Sequence, residues 1–182
     1  MKTIVITGTI ASGKSTAIQI LEQKFAYHII SADKVYHTLF NQGVFDDELK
    51  KVFNTVDRVK LRKIIIDDDK ARQKLDDITH NKIIDEIKRQ IASMDNQNIA
   101  IEIPIFDKKH LIKHDYSVFV YVSSMVQMDR LLKKGWSLDE AQKLIDIQSK
   151  YERDNDCDYT IVNDGGVELL EEKLAAIIKN LG

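Results

Sequence analysis

Cysteine occurs once, at Cys157, so no disulfide can staple this chain from within, and a Cys/His metal cluster is not expected. Proline also occurs once, at Pro104, and glycine only seven times. No Pro/Gly/Ser linker, internal repeat or low-complexity tract divides the 182 residues. An excess of one charge is missing too. The 27 basic and 29 acidic residues leave a net charge of −2, which removes any bulk electrostatic case for nucleic acid or an anionic membrane. No apolar run approaches the roughly 18–20 residues that a membrane-spanning helix needs. A strand candidate follows Met1 directly and leaves no room for a signal peptide. These absences lead us to expect a soluble cytoplasmic protein that acts on small molecules and binds neither nucleic acid nor membrane.

What is present is a globular composition, 43% apolar and 31% charged. The length suits one domain, residues 1–182, with a real core and a small inserted lid. Residues 8–16 read Gly-Thr-Ile-Ala-Ser-Gly-Lys-Ser-Thr, a complete G-x-x-x-x-G-K-[ST] phosphate-binding loop. The β-rich run Lys2–Thr7 precedes it, and Ala17, Ile20, Leu21 and Phe25 follow at helical spacing. A strand, a Gly-bounded loop and a helix in that order form an anion cradle. Backbone N–H groups converge on it and the helix dipole adds to them. Lys14 is placed to reach the β- and γ-phosphates, and Ser15 to ligate Mg²⁺. Gly8, Ala11, Ser12, Gly13, Lys14, Ser15 and Thr16 are the ATP-site residues of this loop.

Further strands are expected at 27–31, 98–103, 116–122 and 158–162, after a first at 2–7. They are runs of Ile, Val and Tyr rather than alternations, as strands covered on both faces are. Helical spacing marks 14–24, 34–40, 70–93, 124–134, 137–150 and 167–181. Alternating strands and helices predict an α/β fold with a five-stranded parallel sheet between helical layers. Ligands of such sheets bind beyond the carboxyl ends of the strands. Those ends carry the phosphate loop, Ser31-Ala32-Asp33, Glu102-Ile103-Pro104 and Asn163-Asp164-Gly165-Gly166. Three of the four supply a carboxylate, which suits metal-assisted phosphoryl transfer. The same residues have plainer readings. Asp33 suits the N-cap of the helix that follows, Glu102 a solvated strand end, Pro104 a strand stop, and Asn163–Gly166 a turn. His28, His37, His110 and His114 read as ordinary surface or packing residues.

With these residues in place, the chain resembles the dephospho-coenzyme A kinases, a family of P-loop nucleoside-monophosphate-kinase-like proteins. Ile6–Thr16 and Ile30–Asp33 resemble its strand, loop and Asp-Ala-Asp segment. Arg58-Val59-Lys60-Leu61-Arg62 resembles its Arg-x-x-Leu-Arg segment, and Leu75 through His80-Asn81 its Leu…His-Pro segment. Glu102–Phe106 resembles its Asp-x-Pro-Leu-Leu strand end. Gln148 and Ile161–Gly165 resemble its C-terminal Gln and Ile-x-Asn-x-Gly segments.

The resemblance implies a kinase that moves the γ-phosphate of ATP to the ribose 3′-hydroxyl of dephospho-coenzyme A. It implies Lys14 and Asp33 as catalytic residues, Asp33 as the general base. Arg130, Lys134, Asn163 and Gly165 join the ATP site. Asp33, Arg58, Arg62, His80, Glu102, Pro104 and Phe106 shape the acceptor site. Mg²⁺ is held by Ser15, with Asp33 and Glu102 as further candidate ligands. An acceptor-binding helical segment is expected at about 34–92 and a lid at about 124–153. The chain departs from the family pattern at Ser31, Asn81, Asp107-Lys108, Lys134 and Leu144. Lysine supplies charge without the planar fork of arginine. These departures keep two alternatives open: a nucleoside or nucleotide kinase with another acceptor, and a nucleotide-binding protein with weak or lost catalysis. A GTPase is disfavoured, because no Asn-Lys-x-Asp segment occurs.

Overall fold

The five apolar runs become five parallel strands in the computed structural model, which describes residues 2–104, 112–149 and 157–180. They are β1 (Thr3–Gly8), β2 (His28–Ser31), β3 (Ile99–Glu102), β4 (Tyr116–Tyr121) and β5 (Tyr159–Val162). Their order is β2-β3-β1-β4-β5. All six residues of β1 are buried, because β1 is central and covered on both faces. The described helices are α1 (Lys14–Phe25), α2 (Ala32–Asn41), α3 (Asp46–Phe53), α4 (Arg58–Asp67), α5 (Asp69–Ala92), α6 (Ser124–Lys133), α7 (Leu138–Ser149) and α8 (Val167–Asn180). None of these is long and apolar enough to cross a membrane.

The chain divides into two compact units. The sheet unit comprises residues 1–31 and 95–182. Its core joins Ile4 and Ile6 of β1 and Val118 and Val120 of β4 to Ala17 and Leu21 of α1 and Leu170 and Leu174 of α8. α1 and α8 pack together, and Lys24 pairs with Glu171 across them at 3.5 Å. The sheet changes direction of growth at β1. The chain builds β2 and β3 to one side of it, then β4 and β5 to the other. Such a switch point opens a crevice at the carboxyl edge of the sheet.

The helical unit, residues 32–94, has α5 as its spine, against which α2, α3 and α4 pack. Val35, Leu39, Phe45, Leu49, Leu61, Ala71, Leu75 and Ile87 are its buried apolar residues. Asp57 caps α4 by accepting from the Val59 and Lys60 amides at 2.8 and 3.0 Å. Asp68 caps α5 through the Lys70 and Ala71 amides at 2.9 and 3.0 Å.

Two helices fall within the helical segment that the family resemblance implies at about 34–92, yet show no helical spacing of their own in the sequence. α3 is eight residues long and buries only Leu49, too little to show a period. α4 carries Ile64-Ile65-Ile66, a β-branched run of poor helix propensity. Its cap and its packing on α5 override that preference. Asp33 also differs from the plain reading as an N-cap. Helix α2 starts at Ala32, directly after β2, so Asp33 lies inside its first turn. An acidic side chain there is stabilised by the helix dipole.

Candidate active site

The loop after β1 owes its shape to two glycines. Gly8 has φ +147°, and a Cβ on it would lie 2.0 Å from the Val120 carbonyl oxygen. That contact is impossible, so β1 approaches β4 this closely only with glycine there. Gly13 has φ +96° and stands at the N-terminus of α1, where a Cβ would meet Asn163 Nδ2 at 2.6 Å. Between them the Thr9 amide donates to Val120 O at 3.1 Å, and the Ser12 amide to Thr9 O at 3.2 Å. Ala11 occupies the turn's third position with φ +57°, a strained conformation for a residue with a Cβ.

Lys14 points back over this loop. Its ammonium donates to Gly8 O and Thr9 O, both at 2.8 Å. Its charge therefore lies against the carbonyls at the start of the loop. Ser15, one residue on, donates to Glu102 Oε1 at 3.2 Å, and Ser31 donates to Glu102 Oε2 at 3.1 Å. The sheet register makes this triad, since Ser31 is paired with Glu102 across β2 and β3. Glu102 also faces Ile6 of β1, two residues before the loop. One carboxylate thus accepts from the hydroxyls of the first turn of α1 and of the end of β2. Pro104 follows this strand end, after Ile103 has made the last bond to β1 by donating to Ile6 O at 3.0 Å. Phe106 lies outside the described residues, as do Arg153 and the lysines 108 and 109.

On the other side of the loop lies a cavity of about 390 Å³. Gly13, Thr16, Arg130, Lys133, Lys134 and Asn163 line it, and the Gly165-Gly166 turn and Leu170 close it. Asn163 is buried and donates from Nδ2 to Ser12 O at 2.7 Å. Arg130 donates to Ala11 O at 3.0 Å and to Asn163 O at 2.9 Å. Its guanidinium therefore ties α6 to both the loop and the end of β5. Lys133 pairs with Asp129 at 2.8 Å. Lys134 lines the cavity one residue further on.

Two glutamines escaped the sequence reading as parts of this site. The buried Gln127 of α6 donates to Ile10 O at 3.2 Å. Gln148 of α7 accepts from the Ile10 amide and donates to Gly8 O at 3.4 Å. Both polar groups of the Ile10 backbone are thus held by side chains from the helices that follow β4. A buried glutamine in an otherwise amphipathic helix was the one signal for Gln127. For Gln148 the signal is its match to the family's C-terminal Gln.

The helical unit carries the other candidates. Asp33 is exposed on the first turn of α2. Arg58 begins α4 and reaches back to α2. One guanidinium nitrogen lies 3.3 Å from His37 Nε2, and the group sits over the Phe40 ring at 5.6 Å from its centre. His37, read from sequence as ordinary, is therefore a neighbour of a candidate acceptor-site cation. Arg62 is exposed one turn along α4, and His80 is half-buried on α5. Beside them Tyr36 stacks on Phe45 with ring centres 5.9 Å apart, and burial pushes its phenol above the usual range.

Comparison with known proteins places this geometry. The family model described as dephospho-CoA kinase matches residues 2–168. The chain belongs to the dephospho-CoA kinase family. It is 32% identical to the dephospho-CoA kinase of Carboxydothermus hydrogenoformans over 189 residues, covering 96% of this chain and 91% of that protein. It is 29% identical to that of Aquifex aeolicus, covering 100% and 98%. The solved dephospho-CoA kinase from Campylobacter jejuni shares the fold at a TM-score of 0.59 and 24% identity, over 100% of this chain and 97% of that one. As a dephospho-CoA kinase family member the chain is a transferase of the P-loop kinase fold.

Proposed function

We propose that the protein transfers the γ-phosphoryl group of ATP to the ribose 3′-hydroxyl of dephospho-coenzyme A, giving coenzyme A and ADP. The observation that carries this reading is the hydrogen-bonded line Ser15–Glu102–Ser31 beside Lys14, at the carboxyl edge of a sheet of this family. In the reaction the 3′-oxygen attacks the γ-phosphorus and the bond from that phosphorus to the β–γ bridging oxygen breaks. The hydroxyl proton passes to Asp33, and ADP leaves. Lys14 exchanges its contacts with Gly8 O and Thr9 O for phosphate oxygens and offsets their growing charge. The loop amides hold the phosphates, and the cavity beside Asn163 and Arg130 receives the adenine. Arg58, Arg62 and His80, with Pro104 and Phe106, bind the acceptor.

The donor set suits Mg²⁺. Ser15 and Glu102 offer hard oxygen ligands, and among the described residues no cluster of three or more His, Cys, Asp or Glu competes for a softer metal. Ser15 would hold the ion directly, with Glu102 and Asp33 as further ligands or partners of its waters. The bound ion supplies charge neutralisation at the phosphates. Residues 1–182 then act as one kinase domain, with 34–92 for the acceptor and 124–153 as the lid that excludes water.

The test is ADP release from MgATP with and without dephospho-coenzyme A, with coenzyme A identified by mass spectrometry. Acceptor-dependent ADP and coenzyme A together are expected. ATP binding without acceptor-dependent ADP would overturn the reading, and a panel of nucleosides and nucleotides would then seek another acceptor.

A further inference from the structure

We propose that Gln127 is a positioning residue of the phosphate loop. Its carboxamide fixes the Ile10–Ala11 peptide so that the Ala11 amide stands as a donor to a phosphate oxygen of the nucleotide. The proposal rests on the nucleotide-binding part of the function above. Within residues 9–13 most amides are already committed. Thr9 donates to Val120 O at 3.1 Å, Ser12 to Thr9 O at 3.2 Å, and Ile10 to the Gln148 carboxamide. The amides of Ala11 and Gly13 bond nothing among the described residues, and both residues line the cavity of about 390 Å³. They are the donors that this turn leaves for an anion.

Their direction is set from behind. No described peptide is cis, and in a trans unit the N–H points opposite to the C=O that shares its plane. The Ala11 amide shares its unit with Ile10 O, which accepts from Gln127 Nε2 at 3.2 Å. The Gly13 amide shares its unit with Ser12 O, which accepts from Asn163 Nδ2 at 2.7 Å. Asn163 counts among the expected nucleotide-site residues, and Gln127 does the same for the neighbouring donor. Ala11 needs such a hold more than Gly13 does, because it keeps φ +57° with a Cβ. Arg130 grips the next peptide, through Ala11 O at 3.0 Å. Gln127 and Arg130 stand three residues apart on one face of α6, so this helix holds the peptides on both sides of Ala11. Gln127 is buried, where an apolar side chain of its size would pack without a polar group to satisfy. Its bond to the loop is what the carboxamide adds.

The experiment compares Gln127→Met with Gln127→Glu. The first keeps the length and loses the donor. The second keeps the shape and donates only when its carboxyl is protonated. Calorimetry measures binding of MgATP and of adenosine between about pH 5.5 and 8, and melting temperatures without ligand check the fold across that range. Gln127→Met is expected to bind MgATP about tenfold more weakly than the unaltered protein at every pH, with adenosine affinity unchanged. Gln127→Glu is expected to lose at least as much at the alkaline end and to recover most of it at the acid end, because burial against a carbonyl oxygen favours the protonated acid. Unchanged MgATP affinity in folded Gln127→Met would overturn the proposal. An equal loss of adenosine binding would also overturn it, since Gln127 would then be a general support of the cavity. So would a loss in Gln127→Glu that does not move with pH, and this series decides alone if Gln127→Met fails to fold. Failure of the unaltered protein to bind MgATP would sink the proposed function as well. MgATP binding without turnover of dephospho-coenzyme A would sink the acceptor reading alone.

Discussion

The sheet unit and the helical unit build binding groups in different ways. In the sheet unit the groups are mostly backbone, and their positions are forced. Gly8 is pressed against Val120, the Ile10 peptide is held by Gln127 and Gln148, and Ala11 O and Asn163 O share the Arg130 guanidinium. In the helical unit the candidates are exposed side chains on helix surfaces, such as Arg58 over Phe40 and Arg62 one turn on. A preorganised backbone cradle binds what all nucleoside triphosphates share. Side chains on helices can be exchanged without disturbing a fold, so that is where acceptor choice is expected to reside. The comparison can be broken by asking which kinetic parameter each unit controls.

The largest effect is expected from Lys14→Ala. It should lower kcat by at least about a thousandfold with little change in melting temperature, because the role proposed for the ammonium is to offset charge that develops only in the transition state. Retained turnover would remove the loop from the mechanism. Asp33→Asn comes next. With the proposed base gone the enzyme should lose about 10²–10⁴ in kcat while ATP affinity stays within a few-fold. A fall in melting temperature that accounts for the loss would show a helix-dipole role and no base. Arg58→Ala should raise KM for dephospho-coenzyme A about tenfold and leave KM for ATP nearly unchanged. Equal rises in both would erase the division of labour between the units.

The smallest expected effect concerns stability at the edge of the sheet. The Ser117 hydroxyl, donating to Asp158 at 2.7 Å, holds that carboxyl below the usual carboxylate range, and the Ser117 amide adds to it. A carboxyl depressed in the folded state contributes stability that is present above its unfolded pKa. That stability is lost as pH falls through the folded value. Asp158→Asn should therefore cost about 1 kcal/mol at neutral pH, a modest figure because the side chain is exposed to solvent. The difference from the unaltered protein should shrink below about pH 4. Melting curves across pH 3–7 check this, and a gap that persists at acid pH would mean that packing rather than charge is at stake.

Much of this protein could be read along the chain. The strands stood out because a central parallel strand must be apolar on both faces, as β1 is throughout. The phosphate loop stood out because its chemistry needs glycine, lysine and serine at fixed short spacing. α5 and α8 showed their period because each buries a long stripe. α3 and α4 did not, since Leu49 alone is buried in one and a β-branched run fills the other.

What the sequence determined by itself was therefore the set of local structures and the identity of the phosphate loop, because both depend on residues within a few positions of one another. Only the tertiary structure decided that Glu102 would hold Ser15 and Ser31 together, that Gln148 would meet Ile10 across 138 residues, and that Arg130 would be committed to carbonyls of the loop and of β5. These pairings follow from strand order and register, which are set by how the whole core packs and leave no mark at any single position.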